Sequence, residues 1–268
     1  MPTESHPFRD RPLFDDEFEA LRLMLSTFRD GTGQVMLKDG RSMPGFRDFE
    51  RATAAVTYGQ AREDKGIFDV WVPTSTLPFG VSCKMAVSQP RRNECSFMEL
   101  SNSLAYFHTA LNEAGVDFER DPATAGQIIV DLVMTWHSAV RDEVDLAGSR
   151  YAILTHDSRW DYFQLQCFPL DLRIADPTRD VRWVVEGRAL NGYIDLGSRV
   201  HRLWQWYGYS GGQLKYYPLL DWVEWMTVPF QLEHAPVASL RTRAIDYFGD
   251  LWPRSMAEEP GLPDTATA

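Results

Sequence analysis

From Tyr151 onward the chain becomes a succession of short apolar and aromatic runs separated by Pro, Gly, Asn and Asp: YAILTH, WDYFQLQCF, LDLRIA, VRWVVEG, YIDLG, RLWQWYGY and QLKYYPLL. Each run has the length of a strand and is too short for an independent helix, so these runs read as strands and the second half as β-rich. The first half reads differently. Asp15 to Arg29 places Phe18, Leu21, Leu23, Met24 and Leu25 at helical spacing, and Gly31 ends the pattern. Helices are also expected over residues 46–56, 96–114, 122–144 and 237–248. Short strands are expected at 34–37, 67–72 and 79–86, the last two joined by a turn from Pro73 to Pro78. Asn191-Gly192 and Gly211-Gly212 are hairpin-turn signals. No Pro/Gly/Ser-rich linker separates the halves. The expectation is therefore one α/β domain over residues 1–253, with a β-rich C-terminal half, followed by a disordered tail over 254–268.

Composition narrows the function. Hydrophobic residues make up 44% and aromatics 13% of the 268 residues, enough for a sizeable core. No apolar run reaches the roughly 18 residues that a membrane span needs. The start, MPTESHPFRDRPLF, lacks the apolar centre of a signal peptide, which points to the cytoplasm. Three cysteines (Cys83, Cys95, Cys167) without zinc-ligand spacing are expected to be reduced thiols. The histidines form no paired ligand spacing, and no nucleophile elbow, P-loop or dinucleotide fingerprint occurs. Net charge is −11, which confines any nucleic-acid contact to a local positive surface. Arginine outnumbers lysine 23 to 4, so each lysine stands out.

Two of those lysines sit in telling places. In the strand run FGVSCKMA, alternation puts Val81, Cys83 and Met85 on one face and Ser82 and Lys84 on the other. A lysine inside so apolar a strand needs a partner or a task. Asp69, between Phe68 and Val70, lies on the preceding strand, one loop away. A simple strand-end ion pair would account for both. Glu99 follows in Ser96-Phe97-Met98-Glu99, a spacing that also suits a helix capping box. Glu50, in GFRDFERA, belongs to the preceding helix beside Arg47 and Arg51, where a solvated face is an equal reading. The segment Trp204 to Pro218 sets aromatics beside a Gly-Gly turn and offers Ser210, Gln213 and Lys215 to a nucleic acid, or else packs as an ordinary hairpin. Asn102 lies one expected helical turn beyond Glu99, and Arg91-Arg92 precede it.

Over roughly residues 45–112, this arrangement resembles the PD-(D/E)XK nuclease superfamily. The pattern there is an acid on one strand, then acid-x-lysine on the next strand of a hairpin. Asp69 matches the first acid and Lys84 the lysine, while Ser82 replaces the second acid. Ser82-Cys83-Lys84 with Glu99 downstream is similar to type II restriction endonucleases in which the missing acid is supplied from the following helix. The resemblance implies a restriction-endonuclease-like mixed central sheet flanked by helices. It also implies Mg²⁺-dependent hydrolysis of double-stranded DNA, and leaves open whether that DNA is modified. Asp69, Lys84 and Glu99 would be catalytic; Asp69, Glu99 and Glu50 would hold the metal; Lys215, Gln213 and Asn102 would touch DNA. Duplex cutting implies a homodimer or tetramer. A catalytically inactive nuclease-fold DNA-binding subunit of a larger defence complex is the alternative, and an unrelated α/β protein with a structural Asp69–Lys84 pair is the third.

Overall fold

The computed structural model describes residues 5–61, 66–88, 97–98, 104–170, 181–209, 212–251 and 253. In chain order the elements are α1 (Asp15–Thr27), β1 (Val35–Met36), β2 (Ser42–Met43), α2 (Phe46–Val56), β3 (Gln60–Ala61), β4 (Val70–Val72), β5 (Phe79–Val87), β6 (Phe97–Met98), α3 (Leu104–Glu113), α4 (Pro122–Ala139), β7 (Arg150–His156), β8 (Phe163–Pro169), β9 (Arg182–Glu186), β10 (Ala189–Asp195), β11 (Val200–Trp206), β12 (Leu214–Tyr216), β13 (Trp225–Met226) and α5 (Leu240–Phe248). The fold is mixed α/β, as expected.

The strands of the second half do not join one central sheet. A six-stranded sheet runs in the order β13-β8-β7-β5-β4-β3, and a separate five-stranded sheet runs β6-β12-β11-β10-β9. β1 and β2 form a small ribbon of their own. In the six-stranded sheet β5 and β7 are parallel and every other pairing is antiparallel. The parallel pair needs a long crossover, which β6, α3 and α4 provide. β7 is buried along almost its whole length, which explains why YAILTH reads as a continuous apolar run and not as an alternating one.

Each face of the six-stranded sheet has its own core. One face carries Val70, Val72, Val81, Cys83, Ala152, Leu154 and Leu165 against α1 and α2, through Leu21, Leu25, Phe49, Ala52 and Val56. The opposite face, with Phe68, Tyr151, Ile153 and Phe168, shares a core with α3, α4 and the inner face of the five-stranded sheet. Trp183, Leu190, Leu203, Trp204, Trp206 and Tyr216 are that sheet's contribution. Helix α4 begins with Pro122 after Asp121, whose carboxylate accepts from the Thr124 N–H at 3.1 Å. Its Gly126 lies against Trp183; a Cβ there would stand 2.0 Å from the indole ring.

Three local expectations fail. The helix expected from Ser96 starts only at Leu104, and Phe97 and Met98 pair instead with Tyr216 and Lys215 as an edge strand. A free sheet edge supplies backbone partners that a local capping signal cannot match. Asn191-Gly192 is no turn but lies inside β10; the hairpin closes four residues earlier, where Glu186 pairs Ala189 and Gly187 has φ +60°. Helix α4 stops at Ala139, short of the expected Val144. The expected strand LDLRIA, apart from Leu170, and the tail from Arg254 lie outside the described residues.

Candidate active site

Asp69 immediately precedes β4, and its N–H donates to Val81 O at 3.2 Å, which sets the register of the β4–β5 hairpin. Its carboxylate Oδ2 turns back onto β5. It accepts from the Cys83 N–H at 2.7 Å and the Ser82 hydroxyl at 3.3 Å, and lies 3.5 Å from Lys84 Nζ. Cluster membership gives the faces: Val81, Cys83 and Met85 pack toward α1 and α2, so Ser82 and Lys84 belong to the opposite face. Gly80 on β5 holds the neighbouring Phe68 ring close; a Cβ at Gly80 would fall 2.1 Å from it. Phe68 is 1% exposed, and this packing places the adjacent Asp69. Asp69 and Lys84 keep about a quarter of their side chains in contact with solvent (25% and 24%), so a ligand can reach both.

Glu50 completes the group from the other direction. Helix α2 is fixed at its start by the buried Asp48, whose Oδ2 accepts from the N–H groups of Gly45 (2.9 Å) and Gln34 (2.8 Å). Two residues later Glu50 is half-buried at the helix flank, not spread on a solvated face. Its carboxyl is pushed up to about 7, first by burial and then by the Asp69 carboxylate; Lys84, Arg47 and Arg51 act against the rise. Two carboxyls and one ammonium therefore share one electrostatic neighbourhood, with one carboxyl titrating near neutrality. Such perturbation is what sites of proton transfer and metal binding display. Cys83, on the far face, is a buried thiol whose pKa is raised, chiefly by burial.

Glu99 and Asn102 lie outside the described residues, as do Arg91, Arg92, Ser96 and Ser210. A helix capped at Ser96 would have Phe97 and Met98 in its first turn, and these form β6. β6 lies beside β5, the strand of Lys84. Lys215 and Gln213 are far along the chain on or beside β12, with Lys215 opposite Met98 and Gln213 exposed. The segment Trp204 to Pro218 is a hairpin whose Trp204 and Trp206 pack the core, while Lys215 points to the other face.

Gln166 was missed in the sequence. It shares a sheet row with Lys84 and Ile153 and is 2% exposed. Its carboxamide oxygen has no hydrogen-bond partner among the described residues. The signal was the second glutamine of FQLQCF, a polar residue in an otherwise apolar stretch, and only pairing to β7 reveals which face it takes.

A divalent cation fits the donors present. Mg²⁺ characteristically takes one or two carboxylates and fills its octahedron with water and substrate oxygens. Asp69 and Glu50, the latter gaining its negative charge only as pH approaches about 7, are two such carboxyls, although no cluster of three or more His, Cys, Asp or Glu suited to a metal occurs among the described residues. No helix of the described residues is long and apolar enough to cross a membrane. No protein-family profile, curated protein or solved structure matches the chain.

Proposed function

We propose that this chain is a Mg²⁺-dependent endodeoxyribonuclease of the PD-(D/E)XK kind, with a restriction-endonuclease-like core formed by the β4–β5 hairpin and its flanking helices. The observation that carries the reading is the approach of Lys84 Nζ to Asp69 Oδ2 at 3.5 Å, with the pKa of the Glu50 carboxyl pushed up to about 7 by burial and then by the same Asp69. Asp69 and Glu50 would hold the cation, and Glu99, following a strand that lies beside β5, is the further ligand to test. Bound there, Mg²⁺ would polarise the scissile phosphate and acidify a coordinated water. The protein's own part is electrostatic positioning. Asp69 is oriented by the Cys83 N–H and the Ser82 hydroxyl, both of which donate to its Oδ2. Lys84, anchored beside it, supplies a fixed positive charge for the developing phosphorane and a donor to orient the attacking water. Double-stranded DNA is the substrate, and a cytoplasmic homodimer or tetramer brings two sites to the two strands.

One observation favours the second reading, an inactive DNA-binding subunit of nuclease fold. Ser82 occupies the second-acid position and spends its hydroxyl on Asp69. Plasmid cleavage with Mg²⁺ and with chelator, on modified and unmodified DNA, decides between them. The wild type is expected to cut only with metal. Lys84→Ala is expected to lose cutting by orders of magnitude while its DNA affinity changes little, because a group acting in the transition state adds little to ground-state binding. Binding without any metal-dependent cutting would establish the inactive subunit; neither binding nor cutting would leave Asp69–Lys84 as a structural pair.

A further inference from the structure

The inner face of the five-stranded sheet is apolar, but its outer face has a different composition. Register and cluster membership assign Arg182 and Glu186 of β9, Asn191 and Tyr193 of β10, Arg202 and Gln205 of β11, and Lys215 of β12 to that outer face. Tyr207 and Tyr217 continue it just beyond their strands. Each of its three cations lies over a tyrosine ring: Arg182 over Tyr193 at 5.4 Å, Arg202 over Tyr217 at 4.6 Å and Lys215 over Tyr207 at 5.2 Å. Among the described residues none of the three has an ion-pair partner, and the buried Nε of Arg202 has no hydrogen-bond acceptor.

Between the cations runs an ordered amide relay. The hydroxyls of Tyr207 (2.8 Å) and Tyr217 (2.9 Å) both donate to Gln205 Oε1, and Gln205 Nε2 donates to Asn191 Oδ1 at 3.1 Å. Asn191 Nδ2 in turn donates to Ala189 O at 3.3 Å. The relay fixes which end of each amide faces which way, and it holds the tyrosines on which the cations rest. Glu186 and Asp195, the acids of this face, sit at its margins next to the turns that follow β9 and β10, and Glu186 is engaged by the Tyr193 hydroxyl at 2.6 Å.

A protein of net charge −11 has abundant carboxylates with which to neutralise its cations. Three cations left without one, held on aromatic supports on a single sheet face, mark a surface complementary to a polyanion. Fixed spacing of charges, held on tyrosines over a buried Asn191–Gln205 relay, suits a nucleic-acid backbone, where arginine and lysine meet phosphates. The edge strand β6 joins this sheet to β5, the strand of Lys84. We infer that the outer face of the five-stranded sheet is the DNA-docking surface, with Arg182, Arg202 and Lys215 as its phosphate contacts. This rests on the nuclease reading for the identity of its partner but not for its measurement.

The test is equilibrium binding of the full chain to a short DNA duplex in chelator, where no cutting can occur, as a function of salt. The wild type should bind, with affinity falling steeply as salt rises. The triple variant R182Q/R202Q/K215Q should bind at least about tenfold more weakly, with the slope of log K against log salt reduced by about 2.7, roughly 0.9 per phosphate contact. Should the triple variant melt early, the three single variants carry the same readout, each lowering the slope by about 0.9, while Lys215→Arg should retain it. Unchanged slope and affinity in folded variants would overturn the assignment, and so would a wild type that prefers an RNA duplex of the same sequence. Because binding is read without metal, a chain that binds through this face yet never cuts would sink the nuclease reading alone; a chain that cuts with these variants unaffected would sink this one alone.

Discussion

The carboxyl of Glu50 is the most exacting test at the level of single residues. Folding lifts it from an ordinary glutamate value of 4.5 to about 7. Between those two values the folded chain holds more protons than the unfolded one, so the stability tied to this group falls as pH rises through that window. Above neutrality the folded state carries a half-buried carboxylate beside Asp69. Glu50→Gln removes that burden. In chelator it should melt higher than the wild type above neutral pH, by on the order of 1 kcal/mol after allowance for solvent screening, and the gap should close toward pH 4.5. The same variant should lose Mg²⁺-dependent cutting, since an amide is a far poorer ligand for a hard cation. A melting curve without that pH-dependent gain would show that Glu50 is not held against its neighbours. Glu99→Gln, assayed beside it, reports whether the glutamate after β6 shares the metal: loss of cutting at unchanged melting temperature is expected.

Among the elements, the contact of α4 with β9 is where packing competes most plainly with propensity. Alanine in place of a helix-interior glycine ordinarily stabilises by roughly 0.5–1 kcal/mol. At Gly126 the added methyl would meet the Trp183 ring at 2.0 Å, and Trp183 is 7% exposed within the shared core. Overpacking of this kind costs about 1–3 kcal/mol, so the clash should win. Gly126→Ala is expected to lower the denaturation midpoint, and a raised midpoint would mean that α4 and the five-stranded sheet can slide apart without cost. The edge strand β6 teaches the converse lesson. Ser96-x-x-Glu99 is a sound helix-start spacing, but Phe97 and Met98 find their backbone partners on β12, and α3 is described from Leu104, eight residues after Ser96.

For the whole molecule, the acidic surface and the local cationic face make a joint prediction about assembly. On the proposed nuclease reading one Asp69–Lys84 site would cut one strand, so duplex cleavage would require two sites in one complex. Linear product should therefore appear directly from supercoiled plasmid when the protein is oligomeric. Sedimentation should show a dimer or larger at the concentrations that cut. A monomer producing only nicked circles would contradict the assembly while leaving the chemistry intact.

Local pattern was sufficient for the α/β class, the amphipathic helix at Phe46–Val56, the β4–β5 hairpin and the pairing of Asp69 with Lys84. Each of these depends on residues close in the chain, where alternation and one short loop determine who meets whom. Glu50 was visible as a candidate, but not its raised pKa, which comes from burial and from a carboxylate brought in by another element. The division of strands between two sheets, the orphaned oxygen of Gln166 and the cation-bearing outer face around Gln205 had no local signature at all. They follow from which long-range strand pairs form, and that choice is made by burying the two apolar cores together, a term that no short window of sequence contains.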